Sequence, residues 1–216
     1  MVCYPYFSAL LASNVISKRQ VHPSERKLIF MGNEPQKHCV IPIHKPSNKE
    51  LMFFFISGVV VSVPMAVFFE SLIPLVPAII SIAVLAPFIE ELAKVFPLFY
   101  RHGETERSIV TLGVLMGLGF GISELVEYVV LLHVPLIIRI PAVIFHASSA
   151  AITAFGIAKK NPLPYYLISV ALHATNNFFA VVVLPIGVFA ELLVLLGSYF
   201  LAYHFYRQTS KEKMVV

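Results

Sequence analysis

Aspartate and tryptophan are both missing from the 216-residue chain, cysteine occurs twice, and charged residues make up only 13% of it. Each shortage excludes something. All twelve acidic residues are Glu, so no mechanism built on a pair of intramembrane aspartates can operate. Cys3 and Cys39 supply neither a disulfide framework nor the paired Cys-x-x-Cys of zinc sites, although His38 and His44 lie close to Cys39 in sequence. Soluble domains carry about 25% charged residues, and half that proportion cannot cover a globule in water. What the chain has instead is apolar surface, 58% of its residues being hydrophobic. Its main solvent is lipid. The net charge of +4 then reads as topology and contact with anionic lipid, and no nucleic-acid partner is needed to explain it.

A hydrocarbon core of roughly 30 Å takes about 20 helical residues to cross. Stretches of that length lie at 51–69, 72–99, 108–131, 136–158, 164–183 and 186–206, separated by turn and breaker residues such as Glu70-Ser71, Gly103, Pro135, Pro162 and Pro185. No segment alternates with period two, so a barrel is not expected. The fold class is an all-α polytopic membrane protein, a bundle of about six transmembrane helices. Three units follow: an N-terminal part at 1–50, a membrane-embedded domain at 51–206 and a basic tail at 207–216. Fourteen of the sixteen Lys and Arg residues fall before residue 51, in the second and fourth connections, or in the tail. With six alternating spans these are co-facial, which places that side, and both termini of the bundle, in the cytoplasm of a cell-membrane protein. The apolar run from Tyr4 to Ile16 is short and has its positive charges after it, the reverse of a secretory signal. It fits a seventh helix, an interfacial segment or an unstructured extension equally well.

The other two cations, Lys94 and Arg139, lie inside spans, in the company of Glu90, Glu91, Glu124, Glu127, His146, His173, Asn176, Asn177 and Glu191. A charge at the bilayer centre costs at least about 2.5 kcal/mol on insertion scales. At 1.5 Å per residue from the basic helix ends, Glu90, Glu91, His146, His173, Asn177 and Glu124 come out roughly 12 to 24 Å deep, one broad layer fed by four helices. Interhelical hydrogen bonding explains any one of them alone; a shared layer points to a site. Arg139 is expected to form a structural ion pair with Glu124 or Glu127. Glu191, Glu70, His133 and His204 receive no role.

Local spacing adds direction. Glu90 and Glu91 stand four and three residues before Lys94, so one ammonium can face both carboxylates. Two adjacent carboxylates in low dielectric resist ionising together, which favours one as base and its neighbour as donor. Pro87, just upstream, removes a backbone donor and is expected to disturb the helix. His173 and Asn177 share a helix face, and Gly113, Gly117, Gly119 and Gly121 let a neighbouring helix approach closely. Amide hydrolysis needs a base for water, donors for the tetrahedral oxygen and an acid for the leaving amine, and this layer contains all three. A serine route through Gly121-Ile122-Ser123 and a zinc route through His-Glu-x-x-His both lack their patterns.

The motifs resemble those of the PrsW-type intramembrane proteases. Glu90-Glu91-Leu92-Ala93-Lys94 is similar to their Glu-Glu-x-x-Lys, Phe120 to Glu124 to their Phe-x-x-x-Glu, His146 to the third motif and His173 to Asn177 to their His-x-x-x-Asn, in order and one per helix over about residues 72–177. The resemblance implies membership of the wider superfamily of CAAX prenyl endopeptidases and bacteriocin-processing proteins, metal-independent glutamic proteases with no cofactor. It further implies that Glu90 activates water, tuned by Glu91 and Lys94. Glu124 and His146 would share proton transfer, and His173 and Asn177 would donate to the oxyanion. The implied partner is a membrane-anchored protein, of the anti-sigma-factor kind in bacterial relatives. The readings from other classes are a proton-coupled transporter and a non-proteolytic scaffold using the same polar cluster.

Overall fold

A computed structural model describes residues 45–72, 77–101, 104–182 and 186–215. The segment 4–16 and the cysteines at 3 and 39 lie outside the described residues. The rest is helical. In chain order the elements are α1 (Asn48–Ser57), α2 (Val63–Ser71), α3 (Ala78–Ile80), α4 (Ala86–Val95), β1 (Glu104–Thr105), α5 (Glu106–Val130), α6 (Leu136–Ala158), α7 (Pro162–Val182), α8 (Ile186–Arg207) and β2 (Met214–Val215). Among the described residues four helices are long and apolar enough to cross a membrane: Asn48–Phe69, Glu106–Val130, Leu136–Ala158 and Gly187–Arg207. The protein is thus an all-α membrane protein. The two other predicted spans are the broken helix at 78–100 and α7, and these carry Glu90, Glu91, Lys94, His173 and the two asparagines.

The breaks have a local cause. A π-helical turn at Gly58–Ser62 joins α1 to α2, and another at Ser81–Leu85 joins α3 to α4. Each is followed within two residues by a proline, Pro64 or Pro87, which has no N–H to give to the preceding turn. In the second turn the Ala86 N–H reaches back five residues to the Ser81 carbonyl. The next bond in that pattern would run from residue 87 to the Ile82 carbonyl, and proline cannot make it. The side chain of Asn177 fills the gap, its Nδ2 donating to the Ile82 oxygen at 3.0 Å. The disturbance expected at Pro87 is therefore a π-turn whose freed carbonyl anchors α7. The turn expected at Glu70-Ser71 falls slightly later, because α2 continues through Ser71.

Helix α5 is the centre of the bundle, packed along α6 on one face and against α1 on another. A side chain at Gly117 would meet the His146 carbonyl and the Ala150 Cβ, and one at Gly119 would meet the Phe55 carbonyl. Such close backbones are how helices associate in lipid, where apolar burial alone gives no preference for a neighbouring helix over an acyl chain.

The basic end is closed by polar contacts. Ser47 and Glu50 form a capping box that starts α1, and Thr105 caps α5 through the Ser108 N–H. The buried Glu106 carboxylate accepts from Lys159 at 2.7 Å and from the Ser210 backbone at 3.0 Å, and pairs with Lys213 at 3.1 Å. Arg101 bridges Glu50 and Glu104. The residues after 207, expected as a basic tail, fold back instead: β2 pairs antiparallel with β1, Glu104 opposite Val215 and Thr105 opposite Met214.

Two glycines test this packing. Gly117→Ala should lower stability by about 1 to 3 kcal/mol, the cost of forcing a methyl group into a filled contact, read as a lower unfolding temperature in detergent. Gly197, which has nothing within 4 Å of its Cβ position, should accept alanine with no loss.

Candidate active site

Helix α4 carries the first three groups. Its amphipathic run buries Glu91 and Lys94 completely, both at 0% exposure, while the Glu90 side chain keeps 15%. Lys94 Nζ donates to Glu91 Oε1 at 2.7 Å, stands 3.7 Å from Glu90 Oε2 and lies 4.5 Å from the centre of the Phe120 ring. One ammonium thus serves both carboxylates, as the spacing predicts.

His173 on α7 completes this half. Its Nδ1 is 2.7 Å from Glu91 Oε1 and its Nε2 is 3.8 Å from Glu90 Oε2. An ionised carboxylate only accepts, so Nδ1 carries the proton and Nε2 is turned toward Glu90. On the other side of the site, α5 and α6 place Glu124 and His146 together. Glu124 Oε2 pairs with His146 Nε2, while its Oε1 takes Arg139 Nη2 at 2.9 Å. Arg139 also stacks on Tyr128, 3.7 Å from the ring centre. The ion pair expected of Arg139 is the one with Glu124.

The two halves meet at the imidazoles. The His146 and His173 ring centres are 5.3 Å apart, edge to face, with Phe145 and Phe120 packed around them. Glu90, His146 and His173 each offer one ligand atom within 4.8 Å of the other two. His146 Nδ1 is buried and has no hydrogen-bond partner among the described residues. A cavity of about 160 Å³ opens beside them, lined by Glu90, Glu124, Glu127, Phe120 and Tyr128 and walled by Val63, Ala66 and Val67 of α2. That volume is of the order of a cavity able to hold a benzene-sized group.

Six of the seven residues singled out from the sequence lie in this cluster: Glu90, Glu91, Lys94, Glu124, His146 and His173. Asn177 sits one turn further along α7, on the Ile82 carbonyl. Sequence reasoning passed over Ser149, whose hydroxyl donates to Glu91 Oε1 at 3.1 Å. It also passed over Ser169, which donates to the Ser149 carbonyl and accepts from Thr153. A signal existed: Ser149 follows His146 by three residues and Ser169 precedes His173 by four, each on the inward face of its helix.

The arrangement gathers carboxylates, two imidazoles and the buried Lys94 ammonium beside a small cavity within the helical bundle. The family model for the PrsW family intramembrane metalloprotease matches residues 46–204. The chain belongs to the PrsW family of intramembrane proteases. No curated protein and no solved structure matches it. Family membership brings with it a peptidase acting on membrane proteins in a lipid bilayer.

The buried ion pair gives a sharp expectation. Lys94→Met strands the Glu91 charge and should destabilise by about 3 to 5 kcal/mol, whereas the Lys94→Met, Glu91→Gln double variant should regain most of that. Unfolding in detergent, followed by circular dichroism, checks both.

Proposed function

We propose that the protein is a glutamic intramembrane endopeptidase in which Glu90 activates water for attack on a peptide bond of a membrane-anchored protein. The observation that carries this reading is where Glu90 stands: its carboxylate and the His146 and His173 imidazoles each offer one atom within 4.8 Å of the other two, at the edge of the cavity. Glu91 is occupied by Lys94, His173 and Ser149, and Glu124 by Arg139 and His146. Glu90 is the carboxylate of the trio with His146 and His173 that also lines the cavity.

His173, held through Nδ1 by Glu91, stands with Nε2 beside Glu90 and is the candidate donor to the developing oxyanion. Glu90 takes a proton from water, the hydroxyl adds to the carbonyl carbon, and the proton passes from Glu90 to the leaving amine as the C–N bond breaks. His146, oriented by Glu124, accepts from the attacking water through Nδ1. Asn177 fixes α7, and with it His173, against the π-turn; an oxyanion contact would draw on its second amide hydrogen. The CAAX superfamily kinship and an anti-sigma-factor-like substrate belong to the same proposal, as do placement in the cell membrane and a cytoplasmic basic end.

A second reading has its own support. One carboxylate and two imidazoles, each imidazole backed by a further carboxylate, is the donor chemistry of catalytic zinc, and the orphaned His146 Nδ1 suits a ligand atom. Glu90, His146 and His173 would hold the ion, which would supply Lewis-acid polarisation of the carbonyl and a more acidic water. One feature counts against it: the Lys94 ammonium beside Glu90, whose charge opposes a second cation there.

Glu90→Gln in purified protein should lower cleavage of a membrane-anchored substrate by about 10²- to 10⁴-fold with the unfolding temperature unchanged. Chelator treatment should leave wild-type activity intact. Full activity in the variant removes Glu90 as the base; activity lost to chelator and restored by zinc selects the metal reading. Proton flux through liposomes without cleavage would point to a transporter.

A further inference from the structure

A second, larger cavity lies on the far side of the α5 and α6 pair. Its volume is about 410 Å³ and it runs between α5, α6 and α8, with Val114 and Leu118 as one wall, Ala147 and Ala151 as the floor, and Tyr203 and Tyr206 as the other wall. The gap arises because α8 packs on α6 and α7 and is tied to α5 at the basic end, where Arg107 donates to Thr209. Small residues of α6 leave the floor low.

We propose that this groove binds one acyl chain of an anionic phospholipid, whose phosphate is held by Arg107 and Arg207. The charge distribution is the reason. The Arg107 guanidinium lies 4.4 Å from the centre of the Tyr206 ring and that of Arg207 5.9 Å from Tyr203, the two tyrosines that wall the groove. Among the described residues neither arginine has a carboxylate partner, whereas Arg101, Lys159 and Lys213 at the same end are all paired with Glu. An apolar slot that ends beneath two uncompensated cations matches an amphiphile with a negative head and a hydrocarbon tail.

A substrate helix lying there would be separated from Glu90 by the α5 and α6 interface, because Glu124 engages Arg139, His146 groups with Glu90 and Ser149 donates to Glu91 on the opposite side.

The test uses delipidated protein in neutral detergent, titrated with phosphatidylglycerol or phosphatidylcholine and followed by native mass spectrometry. One phosphatidylglycerol should be retained per chain at a concentration at least about tenfold lower than phosphatidylcholine requires. Arg207→Gln, at an exposed position, should weaken that retention about fivefold, and Lys160→Gln, an exposed cation off the groove, should leave it unchanged. Filling the groove with Ala151→Leu and Ala202→Leu should abolish it; if that variant does not fold, the arginine comparison decides alone. Equal retention of the two lipids, equal effects of the Arg207 and Lys160 variants, or undiminished binding in a folded filled variant would overturn the proposal. Displacement of the lipid by a synthetic transmembrane peptide would do the same, reassigning the groove to a partner helix.

Discussion

One oxygen atom holds the centre of this protein together. Glu91 Oε1, at a fully buried position, accepts from Lys94 on its own helix, from His173 on α7 and from Ser149 on α6. Helices in lipid gain little from burying apolar faces against each other, so close backbone contact and polar bonds decide which of them associate and in what register. The close-packed glycines of α5 fix its distance from α6. The Glu91 junction fixes where α4 and α7 stand against that pair, and the chemistry is built around it: His173 cannot face Glu90 unless its other nitrogen is held by Glu91.

The same junction gives adjacent glutamates different surroundings. Glu91 is fully buried, its Oε1 shared by three donors. Glu90, one residue on and about 100° around the helix, keeps partial exposure on the cavity and the looser contact with Lys94. Neighbouring acids in a chain thus acquire different surroundings through the direction in which the helix turns them. The break in front of them contributes as well. A proline that cannot donate leaves the Ile82 carbonyl open, Asn177 takes it, and α7 is fastened to the broken helix next to the site. A helix defect in lipid persists where a neighbour satisfies the freed group.

The two cavities divide the molecule by chemistry. The smaller is lined by three carboxylates and a tyrosine on the α2 and α4 side; the larger lies among tyrosines and small apolar side chains beside α8 and ends beneath two arginines. Both exist because α5 and α6 pack on one narrow face and leave their flanks to different neighbours.

Much of this was legible in the residues alone. The scarcity of charge placed the chain in lipid, the length of its apolar runs set the helices, and the few ionisable groups that lipid should have excluded pointed to a shared cluster, because each needs a partner to remain there. The i, i+3 and i, i+4 spacings of Glu90, Glu91 and Lys94 foretold their contact, since one helix sets that distance by itself. What lay beyond the sequence was the detail of the relations between helices: Glu91 rather than Glu90 as the tightly bound acid, Ser149 as its third donor, Glu124 rather than Glu127 as the partner of Arg139, the tail folded back as a strand, and the groove beside α8. Those depend on the azimuth and offset at which separate helices meet, quantities set by packing in three dimensions and carried by no local stretch of chain.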